Sequence, residues 1–268
     1  MKITSISNDL VKMASGLHHK KGRLEQNLYL AEGIHLVQEA YKSGAHIRKI
    51  FWSERLLATD EGRELLRTLQ ERFEEVAVGD AVFEKIAETE NPQGIVATIE
   101  LPKDQAPDWN RIHLGLIIDG LQDPGNLGTI IRTAWAAGLD GLFLTSETAD
   151  PYQGKAVRAS MGGIFRQSIY RNFEPEWLIH HARQAGIQII AADPQAGMEL
   201  FQCDLQIPTL FIVGNEGRGL NPVWEDFSLK RVKIPQPGKA ESLNVAVATG
   251  ILIYEALRQR LVMASCKK

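Results

Sequence analysis

Leu114-Gly-Leu-Ile-Ile-Asp119-Gly-Leu-Gln-Asp123-Pro-Gly-Asn126-Leu-Gly-Thr-Ile-Ile-Arg132 is the stretch on which the fold of this chain turns. Its apolar start predicts a buried strand. Asp-Pro-Gly-Asn predicts a turn, because proline sets φ, glycine permits positive φ and asparagine tolerates a left-handed conformation. A helical pattern follows. The same order returns in Ile212-Val-Gly214-Asn-Glu216-Gly-Arg-Gly219-Leu and in Ile234-Pro-Gln-Pro-Gly238-Lys-Ala-Glu-Ser242-Leu-Asn244-Val. Polar groups therefore collect at the carboxyl ends of strands in an α/β sheet, which is where such sheets bind ligands. The three segments are far apart in the chain, so a site shared by them is a product of the fold.

Around these segments the alternation is regular. After residue 110, strands are predicted at 114–118, 141–145, 167–170, 188–192, 209–214 and 231–234, with helices at 127–138, 153–161, 174–186, 221–227 and 243–261. Apolar strands separated by helices predict a mostly parallel sheet covered on both faces. The last helix is almost wholly apolar through Tyr254, which predicts burial in the core or against a second subunit. Leu101–Asn110 carries two prolines and little periodicity and is taken as a linker. It divides the chain into a smaller α/β domain, 1–105, and a larger one, 106–268.

The chain has 268 residues, two of them cysteine, and a formal net charge of −3. Its apolar content of 44% and charged content of 24% are those of a soluble globular protein. No apolar run approaches the ~20 residues of a membrane span, and the amino end lacks the apolar core of a secretory signal. Cytoplasmic location is expected, with Cys203 and Cys266 as free thiols. The seven histidines show no ligand spacing with cysteine or carboxylates, so no metal is expected. Charge is unevenly spread. Residues 1–49 hold eight basic and four acidic side chains, whereas 50–105 hold six and thirteen. The basic excess centres on His18, His19, Lys20, Lys21 and Arg23, which is either a solvated face or a phosphate-contact surface.

Each motif has a structural reading beside a functional one. Asn126 or Asp123 caps the helix that follows. Arg132, a cation in a small and apolar stretch, needs a partner or a site. Gly214–Gly219 is either a tight turn or a ligand loop. Its glycine order is not the dinucleotide fingerprint, and no triphosphate-binding Gly-x-x-x-x-Gly-Lys-Ser/Thr is present. Glu216 disfavours a bound phosphate and suits a neutral or cationic ligand, or an arginine. Ser242 is a candidate cap for the last helix, with Asn244 in its first turn.

Taken together, Asp-x-x-x-Asp-Pro-x-Asn-x-Gly-x-x-x-Arg, Gly-x-Glu-Gly-x-Gly and Ile-Pro…Ser-Leu-Asn-Val-x-x-Ala resemble the three motifs of the SpoU (SPOUT) family of RNA 2'-O-ribose methyltransferases, in order, over 112–262. The amino-terminal part, above all Leu28–Ala40, resembles the substrate-binding domain of many members, a small ribosomal-protein fold. The resemblance implies a parallel sheet tied into a trefoil knot and a homodimer formed by the second domain. It implies S-adenosylmethionine held at Gly214, Gly219, Ile234 and Leu243. It makes Asn126, Arg132, Glu216, Ser242 and Asn244 the catalytic set, with Arg132 completing the site of the other subunit. RNA contacts are expected from Lys20, Lys21, Arg23 and Glu32, with ribosomal RNA as substrate. Transfer RNA, or a catalytically silent assembly factor on the same fold, are the alternatives.

Overall fold

In the computed structural model, residues 2–215, 217–238 and 242–266 are described. They form two compact units. The first comprises 1–103 and 150–166, the second 104–149 and 167–268.

The first unit holds α1 (Asp9–Gly16), α2 (Lys20–Gln26), β1 (Leu28–Glu32), α3 (Ile34–Ser43), β2 (Ile47–Trp52), α4 (Asp60–Gln70), β3 (Glu74–Ala77), α5 (Asp80–Ile86) and β4 (Ile95–Glu100). Its four strands lie in the order β1-β4-β2-β3. β4 runs antiparallel to both neighbours, and β2 and β3 are parallel. α4 shows how sequence makes an element here. Thr59 caps it by accepting from the Gly62 amide at 3.1 Å, and Leu65, Leu66 and Leu69 turn one face inward. Val11, Leu17, Phe51, Phe83, Ile86 and Val96 fill the core.

The second unit begins with β5 (Leu114–Ile118), α6 (Pro124–Ala137) and β6 (Gly141–Thr145). The chain then leaves it for 150–166, which contains α7 (Gly154–Ala159) and belongs to the first unit. That membership is built from pairings distant in sequence. Asp150 accepts from Arg23, Tyr152 lies 5.0 Å from Tyr29 between ring centroids, Arg158 pairs with Glu88 at 2.7 Å, and Arg166 pairs with Glu39 at 3.2 Å. A division at residue 105 places this segment in the other half. The ion pairs that recruit it join residues up to 127 positions apart, beyond the reach of local pattern.

The second unit resumes with β7 (Ile169–Phe173), α8 (Pro175–Gln184), β8 (Gln188–Ala192), β9 (Met198–Glu199), β10 (Thr209–Val213), β11 (Lys230–Lys233) and α9 (Val245–Cys266). Its seven strands are all parallel, in the order β7-β6-β5-β10-β8-β11-β9. β10 enters between β5 and β8, and β11 between β8 and β9, an order consistent with the SPOUT trefoil-knot architecture. β5 and β10 are wholly buried, as their largely apolar sequences require; the one polar residue, Thr209, donates its hydroxyl to the Ile207 carbonyl. The stretch 222–227 forms a 3-10 helix in place of the α-helix expected there. α9 packs on α6, burying Val245, Ala246, Leu252, Ile253 and Ala256 and leaving Val247 and Tyr254 about half exposed. Among the described residues no helix is long and apolar enough to cross a membrane.

Candidate functional site

The carboxyl ends of β5, β10, β8 and β11 carry the loops of interest, all within the second unit. Asp123 caps α6, its Oδ1 accepting from the Asn126 amide at 2.8 Å, with Pro124 at the first turn. That settles which residue caps and leaves the Asn126 side chain for other work. Its Oδ1 accepts from Asn244 Nδ2 at 3.1 Å, across 118 residues of chain. Asn244 in turn caps α9, its Oδ1 accepting from the amides of Ala246 (3.0 Å) and Val247 (3.2 Å). The cap expected at Ser242 thus falls two residues later. An asparagine carries donor and acceptor together, so Asn244 spends its carbonyl on the helix start and its amide on Asn126.

Asp119 is buried and accepts from the Asn221 amide at 2.8 Å. Asn215 donates to the Gly120 carbonyl at 3.0 Å and accepts from the amides of Gly217 and Arg218. Asn215 and Gly219 also exchange both backbone hydrogen bonds. These contacts fold the second motif back on itself and tie it to the first. The fold-back needs glycine at 214, where a Cβ would collide with the Gly219 carbonyl, and glycine at 219, where φ is +70°.

Between the second and third motifs lies a cavity of ≈ 160 Å³. Its walls are mainly apolar, with Ala192, Val213, Val232, Ile234, Leu243 and Val245 among them. Gly214, Gly219 and Ser242 line it too, as do Asp193, Asn215 and Gln236. Asp193 accepts from Arg231 at 2.9 Å and from the Gln195 amide at 2.8 Å. Burial raises its carboxyl pKa, but the Gln195 amide and the hydrogen bond and charge of Arg231 outweigh that and hold it below the usual value. The Oε1 of Gln236 is buried with no hydrogen-bond partner among the described residues. A larger cleft shares Asn215, Gly219 and Leu220 with this cavity and is lined also by Asp119, Gln122, Glu147, Arg218 and Asn221.

The structure therefore brings Gly214, Gly219, Ile234, Leu243 and Ser242 to one cavity and Asn126 to Asn244. Arg132 is exposed on α6 and does not line that cavity. Glu216 lies outside the described residues. In the first unit, Lys20 and Lys21 are exposed, but two of the four residues expected to contact RNA are not. Arg23 is 4% exposed and donates to Asp150 and to the carbonyls of Leu17 and His18. Glu32 is buried, accepting from the amides of Glu88 and Thr89 and from the Thr89 hydroxyl. Both hold the unit together, because a buried charge must be paired. Asp193, Asn215 and Gln236 escaped the sequence reading. Asp193 follows a predicted strand, which was the available signal; Gln236 had none. No group of His, Cys, Asp and Glu that could hold a metal ion occurs among the described residues.

The profile of the SpoU rRNA Methylase family matches residues 113–254, and that of the MRM3-like substrate binding domain matches 8–97. The chain is 36% identical over 253 residues to the 23S rRNA (guanosine(2553)-2'-O)-methyltransferase RlmP of Bacillus subtilis, covering 94% of this chain and 98% of that one. It is 33% identical over 272 residues to the 23S rRNA (uridine(2479)-2'-O)-methyltransferase of Streptomyces viridochromogenes, covering 97% and 93%. The solved structure of AdoMet-bound rRNA methyltransferase from Sinorhizobium meliloti superposes with a TM-score of 0.82 at 33% identity, covering 97% of this chain and 98% of that one.

Proposed function

Because this chain belongs to the SpoU rRNA methylase family, we propose that it methylates a ribose 2'-hydroxyl of RNA with S-adenosylmethionine, and that its substrate is ribosomal RNA. The observation that carries this reading is the convergence of the second and third motifs on one largely apolar cavity, with Asn244, between the lining residues Leu243 and Val245, hydrogen-bonded to Asn126. The cavity suits an adenosyl group. It has apolar walls for a base, the ionised Asp193 and, at Gln236, a buried acceptor without a partner among the described residues. When bound, S-adenosylmethionine supplies an electrophilic methyl group on a cationic sulfur.

The remaining work belongs to the chain. A ribose hydroxyl is a weak nucleophile until its proton leaves, so positioning and proton removal supply most of the rate. Asn126 and Asn244 hold each other and so fix the starts of α6 and α9 beside the cavity. Glu216 orients Arg132 or the ribose, and Ser242 shapes the third loop. Arg132 acts from a second subunit. Its planar fork grips the phosphate next to the target and aims the hydroxyl, whose proton passes to solvent as the oxygen–methyl bond forms and the sulfur–methyl bond breaks. The homodimer this requires is supported by the α6–α9 face, where Arg132, Trp135, Val247 and Tyr254 are exposed together with Leu261 and Val262. Residues 1–105 select the RNA, with Lys20 and Lys21 as phosphate contacts. A cytoplasmic location goes with that substrate.

The test is transfer of labelled methyl from S-adenosylmethionine into total RNA by the full-length protein, followed by primer extension at low nucleotide concentration to map the stop. Label in large-subunit RNA with a single stop is expected. Label confined to transfer RNA would move the substrate. A protein that binds both cofactor and RNA without transferring label would be an assembly factor.

A further inference from the structure

Gln236 follows Ile234-Pro235 at the end of β11 and lines the cavity. Its side-chain carbonyl oxygen is buried and has no hydrogen-bond partner among the described residues. Leaving such an acceptor unpaired costs free energy, so its retention beside a cavity points to a donor that arrives with the ligand. The rest follows from the adenosyl cofactor proposed above. Three parts of that molecule donate: the ammonium of its amino acid, the ribose hydroxyls and the exocyclic amine of adenine. The ammonium is cationic and the diol is strongly polar, so both are served better by a carboxylate, and Asp193 lines the same cavity ionised. A neutral amide beside Ile234 and Val232 matches a neutral planar base. Moreover, a primary amide sets an acceptor next to a donor. That pattern complements the adenine edge, where the amine lies beside a ring nitrogen, and glutamine pairs with adenine in this bidentate way elsewhere.

We infer that Gln236 is the base-reading residue of the cofactor site: its amide accepts from the adenine N6 amine and donates to N7, so that the cavity distinguishes adenosyl from inosyl compounds. Inosine carries a carbonyl where adenine carries its amine, which sets two acceptors face to face.

Calorimetric titration of the full-length protein with S-adenosylhomocysteine and with its inosyl counterpart tests this without any turnover. The wild-type protein is expected to prefer the adenosyl compound by about 10–100-fold, the range that one bidentate pair provides. Gln236→Met keeps the volume and removes the amide. It should weaken adenosyl binding about tenfold, leave inosyl binding nearly unchanged and so compress the ratio. Equal wild-type affinity for the two compounds overturns the inference even if the variant does not fold. So does a folded variant that loses both affinities equally, which would place Gln236 on the ribose or in the frame of the loop. Failure of the wild-type protein to bind either compound overturns instead the cofactor assignment on which the inference rests.

Discussion

Arg132 and Arg23 are the same residue type in opposite surroundings, one exposed and one buried. Arg23 is enclosed, with four hydrogen bonds shared among a carboxylate and two carbonyls. Arg23→Ala strands those acceptors and should cost about 3–5 kcal/mol, visible as an early unfolding midpoint in urea. Lys20→Ala with Lys21→Ala should leave the midpoint in place and weaken RNA binding, with a shallower salt dependence as two phosphate contacts are lost; filter binding at several salt concentrations measures it. Arg132 is exposed, and its expected use is geometric. Arg132→Lys keeps the charge and removes the planar fork, so kcat should fall about 100-fold with RNA affinity intact. Near-normal single-turnover rates would end the assignment. The basic cluster at 18–23 was legible as composition. That one of its members is a core residue was not, because burial is decided by Asp150, more than a hundred residues away.

Among elements, the loops at the strand ends behave as one unit. Gly214→Ala forces a Cβ onto the Gly219 carbonyl and breaks the fold-back that shapes the cavity. Expected is a loss of about 1–3 kcal/mol together with loss of cofactor binding, read by thermal shift with and without ligand. Asp193 and Arg231 join the ends of β8 and β11. A carboxyl held below its unfolded value stabilises the fold above that value, about 3.9, and loses the contribution as pH falls through the folded value. Wild type should therefore exceed Asp193→Asn in unfolding midpoint near neutral pH, and the two should converge as pH drops below about 4. The strands and loops of this region were legible because each apolar run is bounded by its own turn residues. The cap at Asn244 was less so: Ser242 and Asn244 are both good caps in isolation, and the amide that joins Asn244 to Asn126 comes from tertiary contact.

For the molecule, the decisive surface is the outer face of α6 and α9. Val247 and Tyr254 are about half exposed there and Trp135 is partly so, an apolar surface of the kind that marks association. Tyr254→Glu should convert a dimer to monomers in analytical ultracentrifugation and abolish methylation while each monomer still binds cofactor. A fully active monomer would remove the need for a second subunit's Arg132. The apolar run of α9 announced a buried helix, but it could not say whether fold or partner would cover it; the fold covers Leu252, Ile253 and Ala256 and leaves Val247 and Tyr254 about half exposed. The partition of 150–166 was equally hidden, since its recruits are single residues scattered through the first hundred.

The place of β10 has a consequence for how the protein is made. This strand is central to the sheet, yet it follows β5 by roughly ninety residues and is preceded in synthesis by β6, β7, β8 and β9. Until residue 213 has left the ribosome, β5 and β8 both present unpaired apolar edges to the cell. Late threading between two waiting edges is slow and exposes sticky backbone meanwhile. The nascent chain is therefore expected to lean on chaperones for its second half, and to refold from denaturant at a rate limited by the arrival of a single five-residue strand.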